Sequence, residues 1–221
     1  MIVAEQKPLK EILSNIEGFE KILLVGCHGC VTVCSAGGEK EVDLLAGLLR
    51  LAGRKRGKQL QVTKMTLERQ CDPEYVDELL EHIEQHDAVL SMACGAGVQL
   101  VAERVGGIAV LPALNTVFIG AVEEKGTWGE RCQACGDCKL HLTGGICPVT
   151  RCSKSLMNGP CGGSSDGHCE IDPEVPCGWQ LIVDRLEALG QLDQYERILP
   201  MPDWSCSRDG GPRKVVREDL K

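Results

Sequence analysis

KILLVG, residues 21–26, is a short apolar run that ends on glycine and leads straight into CHGCVTVC, residues 27–34. A run this brief, bounded by turn residues, reads as a buried strand. Upstream, PLKEILSNI (8–16) is amphipathic. Downstream, residues 41–51 repeat Val42, Leu45, Leu48 and Leu49 at helical spacing. Residues 59–65 form a second strand candidate, with Leu60, Val62 and Lys64 in alternation. Asp72 can cap a helix that runs through Gln85, with Pro73 in its first turn and Val76, Leu79, Leu80 and Ile83 on one face. AVLSM (88–92) is the third strand, 98–105 a helix and 108–111 the fourth strand. Strands alternating with helices predict an α/β fold built on a Rossmann-like parallel sheet.

The cysteines of this half fall at the ends of those strands. Cys27 follows the first directly, Cys30 and Cys34 share its loop, and Cys71 and Cys94 lie beyond the second and third. Ligands of open α/β sheets collect outside the carboxyl ends of the strands, so three distant loops can bring thiolates to one edge. Five thiols exceed a four-ligand site. Cys27, nearest the strand end, is the first to be set aside. A redox dithiol at Cys27 and Cys30 is a rival reading, but Cys34 would be a surplus thiol and no helix is expected directly after the pair. A set of inert buried cysteines is another. No G-x-G-x-x-G order occurs between Gly26 and Gly38, so no nicotinamide is expected here.

The character changes near Gly126. Residues 128–178 show little apolar periodicity but carry eight cysteines and many glycines. Such a stretch predicts a small irregular module that needs metal to hold it. A helix over 179–189 closes it, with Trp179, Ile182, Leu186 and Leu189 on one face and Gly190 as the stop. The expected organisation is an α/β domain over 1–125, the cysteine-rich module with its helix over 126–195, and an extended tail over 196–221.

Fourteen cysteines in 221 residues, with neither a secretory leader nor a long apolar run, suggest a cytoplasmic protein whose thiols bind metal. A formal net charge of −8 argues against nucleic acid. The strongest motif is Cys132-x2-Cys135-x2-Cys138 followed by Cys147-Pro148. It is similar to the bacterial ferredoxin run, with a longer last gap. Cys152, Cys161, Cys169 and Cys177 follow. Eight thiolates suit two [4Fe-4S] clusters, or one cluster and a Zn2+ ion, because both take soft sulfur ligands. His28, His141 and His168 suit surface or supporting roles. His82 and His86 lack a third ligand, and the basic run Arg54–Lys58 suits the end of a helix. Cys206 stands alone in the tail.

RCQACGDC, LTGGICPVTRCSKSLMNGPCGG and GHCEIDPEVPCGW, within 131–179, resemble the cysteine-rich domain found beside methylenetetrahydrofolate reductases. GCHGCVTVCSAGGEKEV, ERQCDPEYV and SMACGAGVQ resemble the first half of the same protein type. Together they resemble the iron–sulfur small subunits of acetogenic-type methylenetetrahydrofolate reductases. The resemblance implies [4Fe-4S] clusters, one in the first half and one or two in the cysteine-rich module. It implies a partner that bears the flavin and catalyses, and a role in the methyl branch of acetogenic one-carbon metabolism. The chain would then relay electrons between a donor, such as a ferredoxin or a hydrogenase-type module, and that flavin. It would not be the catalyst itself, since 221 residues already allotted leave no room for a barrel. The alternative is a zinc-stabilised docking subunit of the same complex.

Overall fold

The computed structural model describes residues 1–57 and 59–220; Lys58, the last residue of the basic run, lies outside them. The chain divides into two compact units, Met1–Trp128 and Gly129–Lys221.

The first unit is built on four parallel strands. Strand β1 (Ile2–Gln6) precedes helix α1 (Leu9–Asn15), and the apolar run forms β2 (Lys21–Cys27). A four-residue helix α2 (Cys30–Val33) and a long α3 (Glu39–Lys55) lead to β3 (Gln61–Leu67). Helices α4 (Pro73–Val76) and α5 (Leu80–Ile83) precede β4 (Ala88–Ser91), and α6 (Gly95–Val105) precedes β5 (Ala109–Pro112). The parallel sheet has the order β3-β2-β4-β5. Its register sets Ile22 beside Val62 and Ala88, and Leu90 beside Leu111. After β2 the chain steps outward to β3, then crosses back over β2 to β4. The strand order therefore reverses between β2 and β4, which is the topological switch point of a doubly wound sheet.

Residues of opposite parity on β2 face opposite layers, as the two-residue period of a strand requires. Ile22 and Leu24 pack with Val42, Leu45 and Leu49 of α3. Leu23 and Val25 pack with Val76, Leu79 and Val101 on the other side. The Rossmann-like expectation therefore holds, with differences in detail. The second strand begins two residues later than alternation suggested. Leu60 and Val62 pack into the cluster that includes α3, as the alternation implied, but Lys64 is exposed. The helix expected over 72–85 is broken by a 3₁₀ turn at Asp77–Leu79. Side chains three apart eclipse in such a turn, which keeps Val76 and Leu79 together in the core, both fully buried. Asp72 does cap it, accepting a hydrogen bond from the Glu74 N–H at 3.3 Å.

A three-stranded sheet of order β1-β6-β7 was not foreseen; β6 is Leu114–Glu124 and β7 is Thr127–Cys132. β1 pairs antiparallel with β6. Burial does not alternate along either strand, a weaker signal than a run buried on both sides. Along β7 the chain passes from the first unit to the second.

The second unit contains a short α7 (Pro148–Arg151) and the closing helix α8 (Gly178–Ala188). It has a small core after all. Cys177, Trp179, Ile182, Leu186 and Leu199 are buried together, flanked by Leu142, Ile146, Leu156 and Met157. Leu189, expected on the buried face, is exposed. The NGPCGG segment helps build this core. Asn158 exchanges two hydrogen bonds with the Leu199 backbone, at 3.1 and 2.7 Å. A Cβ at Gly159 would sit 2.3 Å from a Trp179 ring atom. The tail is not simply extended, for it turns into 3₁₀ segments at Trp204–Cys206, Arg208–Gly210 and Glu218–Leu220. Among the described residues, no helix is long and apolar enough to cross a membrane.

Candidate metal centres

At the carboxyl edge of the parallel sheet, three loops carry the first unit's thiols. β2 ends at Cys27 and its loop contains Cys30; the loop after β3 carries Cys71; Cys94 caps α6 after β4. These loops are held in register by Gln70, a fully buried residue. Its Nε2 donates to the carbonyls of Val25 (2.9 Å) and Gly26 (2.8 Å) at the end of β2. Its Oε1 accepts from the Ser91 hydroxyl at the end of β4, at 2.6 Å. One amide thus fastens the β3 loop to both β2 and β4. Both polar atoms of that amide are paired, as burial demands. Gly37 presses against β4 from the other side: a Cβ there would lie 2.0 Å from the Met92 carbonyl oxygen.

Around this anchor the thiols differ in setting. Cys27 is nearly buried; its Sγ lies 3.9 Å from the Glu68 carbonyl oxygen, in the loop after β3. Cys30 and Cys94 are half-buried, and Cys71 is exposed. Burial first, and then the neighbouring thiols of Cys94, Cys27 and Cys30, push the Cys71 thiol above its ordinary value. Cys34 is placed differently. It is buried in the main apolar cluster, with its Sγ 3.5 Å from the Ala4 carbonyl oxygen and 3.6 Å from that of Val31. Burial raises its pKa as well. A short helix does start at Cys30, contrary to the sequence expectation, with Gly29 before it.

In the second unit, Cys132, Cys135, Cys138 and Cys147 line one cavity of about 100 Å³, with Met157 and Pro202 among its other walls. The loop bends through Ala134 and Gly136, both at positive φ. The Ala134 N–H donates to the Cys132 Sγ at 3.2 Å. The tail closes over the loop, which the sequence did not disclose. The Asp203 N–H donates to Asp137 Oδ2 at 2.8 Å, and a Cβ at Gly136 would lie 2.6 Å from the Cys206 carbonyl oxygen. Arg213 donates to the carbonyls of Ala134 (2.5 Å) and Cys206 (3.2 Å). Cys206 itself bonds Asp203 at 3.4 Å. That carboxylate raises its pKa and favours the neutral thiol.

The remaining four cysteines lie on segments that run beside one another. His168 bridges Ser165 and Pro176 in a small antiparallel arrangement. The Cys169 N–H bonds the Val175 carbonyl, and the Cys177 N–H bonds that of Gly167. Alternation then sets Cys169 and Cys177 on one face. A Cβ at Gly178 would lie 2.9 Å from the Cys152 nitrogen, so Cys152 adjoins Cys177. Cys169 Sγ bonds the Ser153 hydroxyl at 3.3 Å. That bond, followed by the Ile171 backbone, lowers the Cys169 pKa. A Cβ at Gly163 would overlap the Glu170 carboxylate, so the Cys161 loop runs beside Cys169. Among the described residues, no three His, Cys, Asp or Glu side chains stand in an arrangement that would grip a single metal ion. Of the histidines, His86 Nδ1 meets the His82 carbonyl at 2.7 Å, and His28 lines a polar cleft with Asp43 and Lys64.

Fold and thiol distribution together define a cysteine-rich α/β protein with its thiols gathered at a sheet edge and in a compact second unit. Residues 111–205 match the family model described as "Methylene-tetrahydrofolate reductase C terminal". This similarity covers fewer than half of the 221 residues and takes in all eight cysteines of the second thiol-rich stretch. No curated protein and no solved structure matches the chain.

Proposed function

We propose that this chain is an electron-transfer subunit associated with a methylenetetrahydrofolate reductase. In this reading its thiolates hold iron–sulfur clusters that exchange electrons with a flavin on the catalytic partner. The observation that carries it is the cavity lined by Cys132, Cys135, Cys138 and Cys147, which lies inside the segment similar to that reductase family. The donor set fits. Four thiols surround one space, an N–H points at Cys132 sulfur, and the tail shields the loop. Cys152, Cys161, Cys169 and Cys177 form a second set in the same unit, suited to a second cluster or a tetrahedral zinc.

When bound, a four-iron cluster supplies one-electron redox chemistry, which matches a flavin that accepts one or two electrons. The chain's own residues would set the ease of that exchange. Backbone donors such as Ala134 N–H stabilise the more negative, reduced state, and burial opposes it. Thiolates in two units would mark stations between an outside donor and the partner.

The test is iron, sulfide and zinc content of anaerobically purified protein, with EPR of the reduced form, with and without the catalytic partner. The expected result is brown protein with iron and sulfide in equal amounts, whose visible absorption bleaches on reduction and recovers when the oxidised partner flavin is added. Colourless protein that carries only zinc would sink the electron-transfer reading and leave a zinc-stabilised docking subunit.

A further inference from the structure

The first unit offers five thiols where a single four-ligand site needs four. We infer that Cys27, Cys30, Cys71 and Cys94 form one four-thiolate metal site at the switch point of the parallel sheet, and that Cys34 is a core residue outside it. This rests on the reading that the chain's thiolates bind metal, and goes beyond it by assigning the ligands.

Topology is the first argument. β2 and β4 are neighbours, and the strand order reverses between them, so the loops leaving their carboxyl ends diverge and open a crevice. Cys27 and Cys30 leave β2, and Cys94 leaves β4 at the first turn of an eleven-residue helix. Cys71 enters from β3, on the far side of β2, and Gln70 beside it reaches across to β2 and β4. The residue adjacent to Cys71 therefore fixes where Cys71 stands relative to the other two loops.

Side-chain placement is the second. The Cys27 sulfur faces the β3 loop, 3.9 Å from the Glu68 carbonyl, and is 3.5 Å from where a Cβ on Gly29 would be. Glycine at 29 thus leaves room beside that sulfur. Cys34 is placed differently. Its sulfur is held by the carbonyls of Ala4 and Val31 among apolar side chains, and Ser35 turns the chain with a positive φ of 53°. Bringing Cys34 to the edge would mean unpacking that cluster. Proximity to the strand end, which made Cys27 the one to set aside, works the other way: a residue that ends the central strand sits at the mouth of the crevice.

The experiment uses the full chain, loaded anaerobically with iron and sulfide and in parallel with zinc, carrying Cys27→Ala, Cys30→Ala, Cys71→Ala, Cys94→Ala or Cys34→Ala. Metal and sulfide are counted per folded monomer, and reduced samples are read by EPR. Each of the first four variants is expected to lose the same increment, about four irons of one cluster. Cys34→Ala should keep the wild-type content and spectrum. Cys34→Val, which refills the apolar site, separates metal loss from a packing defect. The assignment is overturned if both Cys34 variants lose that increment, or if Cys27→Ala retains it. Wild-type protein that takes up neither metal overturns the underlying reading as well, so the two failures are distinct.

Discussion

Gln70 is a long polar side chain with no exposed surface, held by three hydrogen bonds to two different strands. Replacing it with leucine keeps the volume but leaves the buried Ser91 O–H without an acceptor and takes one donor from each of the Val25 and Gly26 carbonyls. A buried orphan costs about 1–3 kcal/mol, so Gln70→Leu should destabilise the first unit by about 1–3 kcal/mol. Urea unfolding of the reduced, metal-free chain measures it, and a loss below about 1 kcal/mol would mean that water replaces the amide. Gln70 was not legible in the sequence, because a glutamine before a cysteine carries no pattern. Only the fold shows that its loop must be tied to two strands. The thiols are visible individually in the sequence, and their types and spacings suggest soft-metal chemistry. Their grouping was not, because it depends on which way each side chain leaves its strand.

Elements built from strong periodicity were read well. Helix α3 extends beyond the apolar repeat of 41–51 at both ends, because Glu41 accepts a hydrogen bond from the Gly38 N–H at 3.1 Å and Arg54 and Lys55 suit its last turn. Its interior glycine, Gly47, has open space where a Cβ would go. Gly47→Ala should therefore raise stability by about 0.5–1 kcal/mol, seen as a higher denaturant midpoint at unchanged slope; a lower midpoint would contradict it. The beginning of the sheet depends on Asp87. Its carboxylate accepts from the backbone N–H groups of Glu20 (2.9 Å) and Lys21 (2.8 Å), and these two bonds lower its pKa, the Lys21 bond most. A depressed folded pKa means the stabilisation is complete above the unfolded value of about 3.9 and is lost as pH falls through the lower folded value. Asp87→Asn should thus weaken the protein at neutral pH, and the gap to wild type should close in acid. A gap that is constant from pH 6 to pH 2 would show that charge at Asp87 plays no part. The elements that were missed, β1, β6 and β7, are partly solvent-facing strands. Exposed residues that break a clean alternation mask them in a sequence whose clearest strands are buried on both sides.

At the scale of the whole chain, the two units differ in what can hold them. Met1–Trp128 has two apolar layers on either side of a parallel sheet. Gly129–Lys221 has one small cluster, centred on Trp179, Ile182 and Leu186, and long stretches of backbone without regular structure. A domain that buries so little gains much of its stability from metal when metal is bound, and loses it when metal leaves. The sequence made this contrast visible through the drop in apolar periodicity after Gly126, although it undervalued the core beneath α8. If the proposed thiolate sites are loaded, stripping the full chain with a chelator under reducing, anaerobic conditions should act unevenly. Amides of β2 and β4 should keep their hydrogen-exchange protection within about twofold, while those of 129–199 should lose about tenfold or more. Cys71 and its loop would loosen locally, since their metal goes too, but Gln70 keeps them tied to the sheet. Equal loss in both units would mean that the sheet as well depends on metal. No loss in the second unit would mean that its small core suffices, and that its eight cysteines serve something other than its stability.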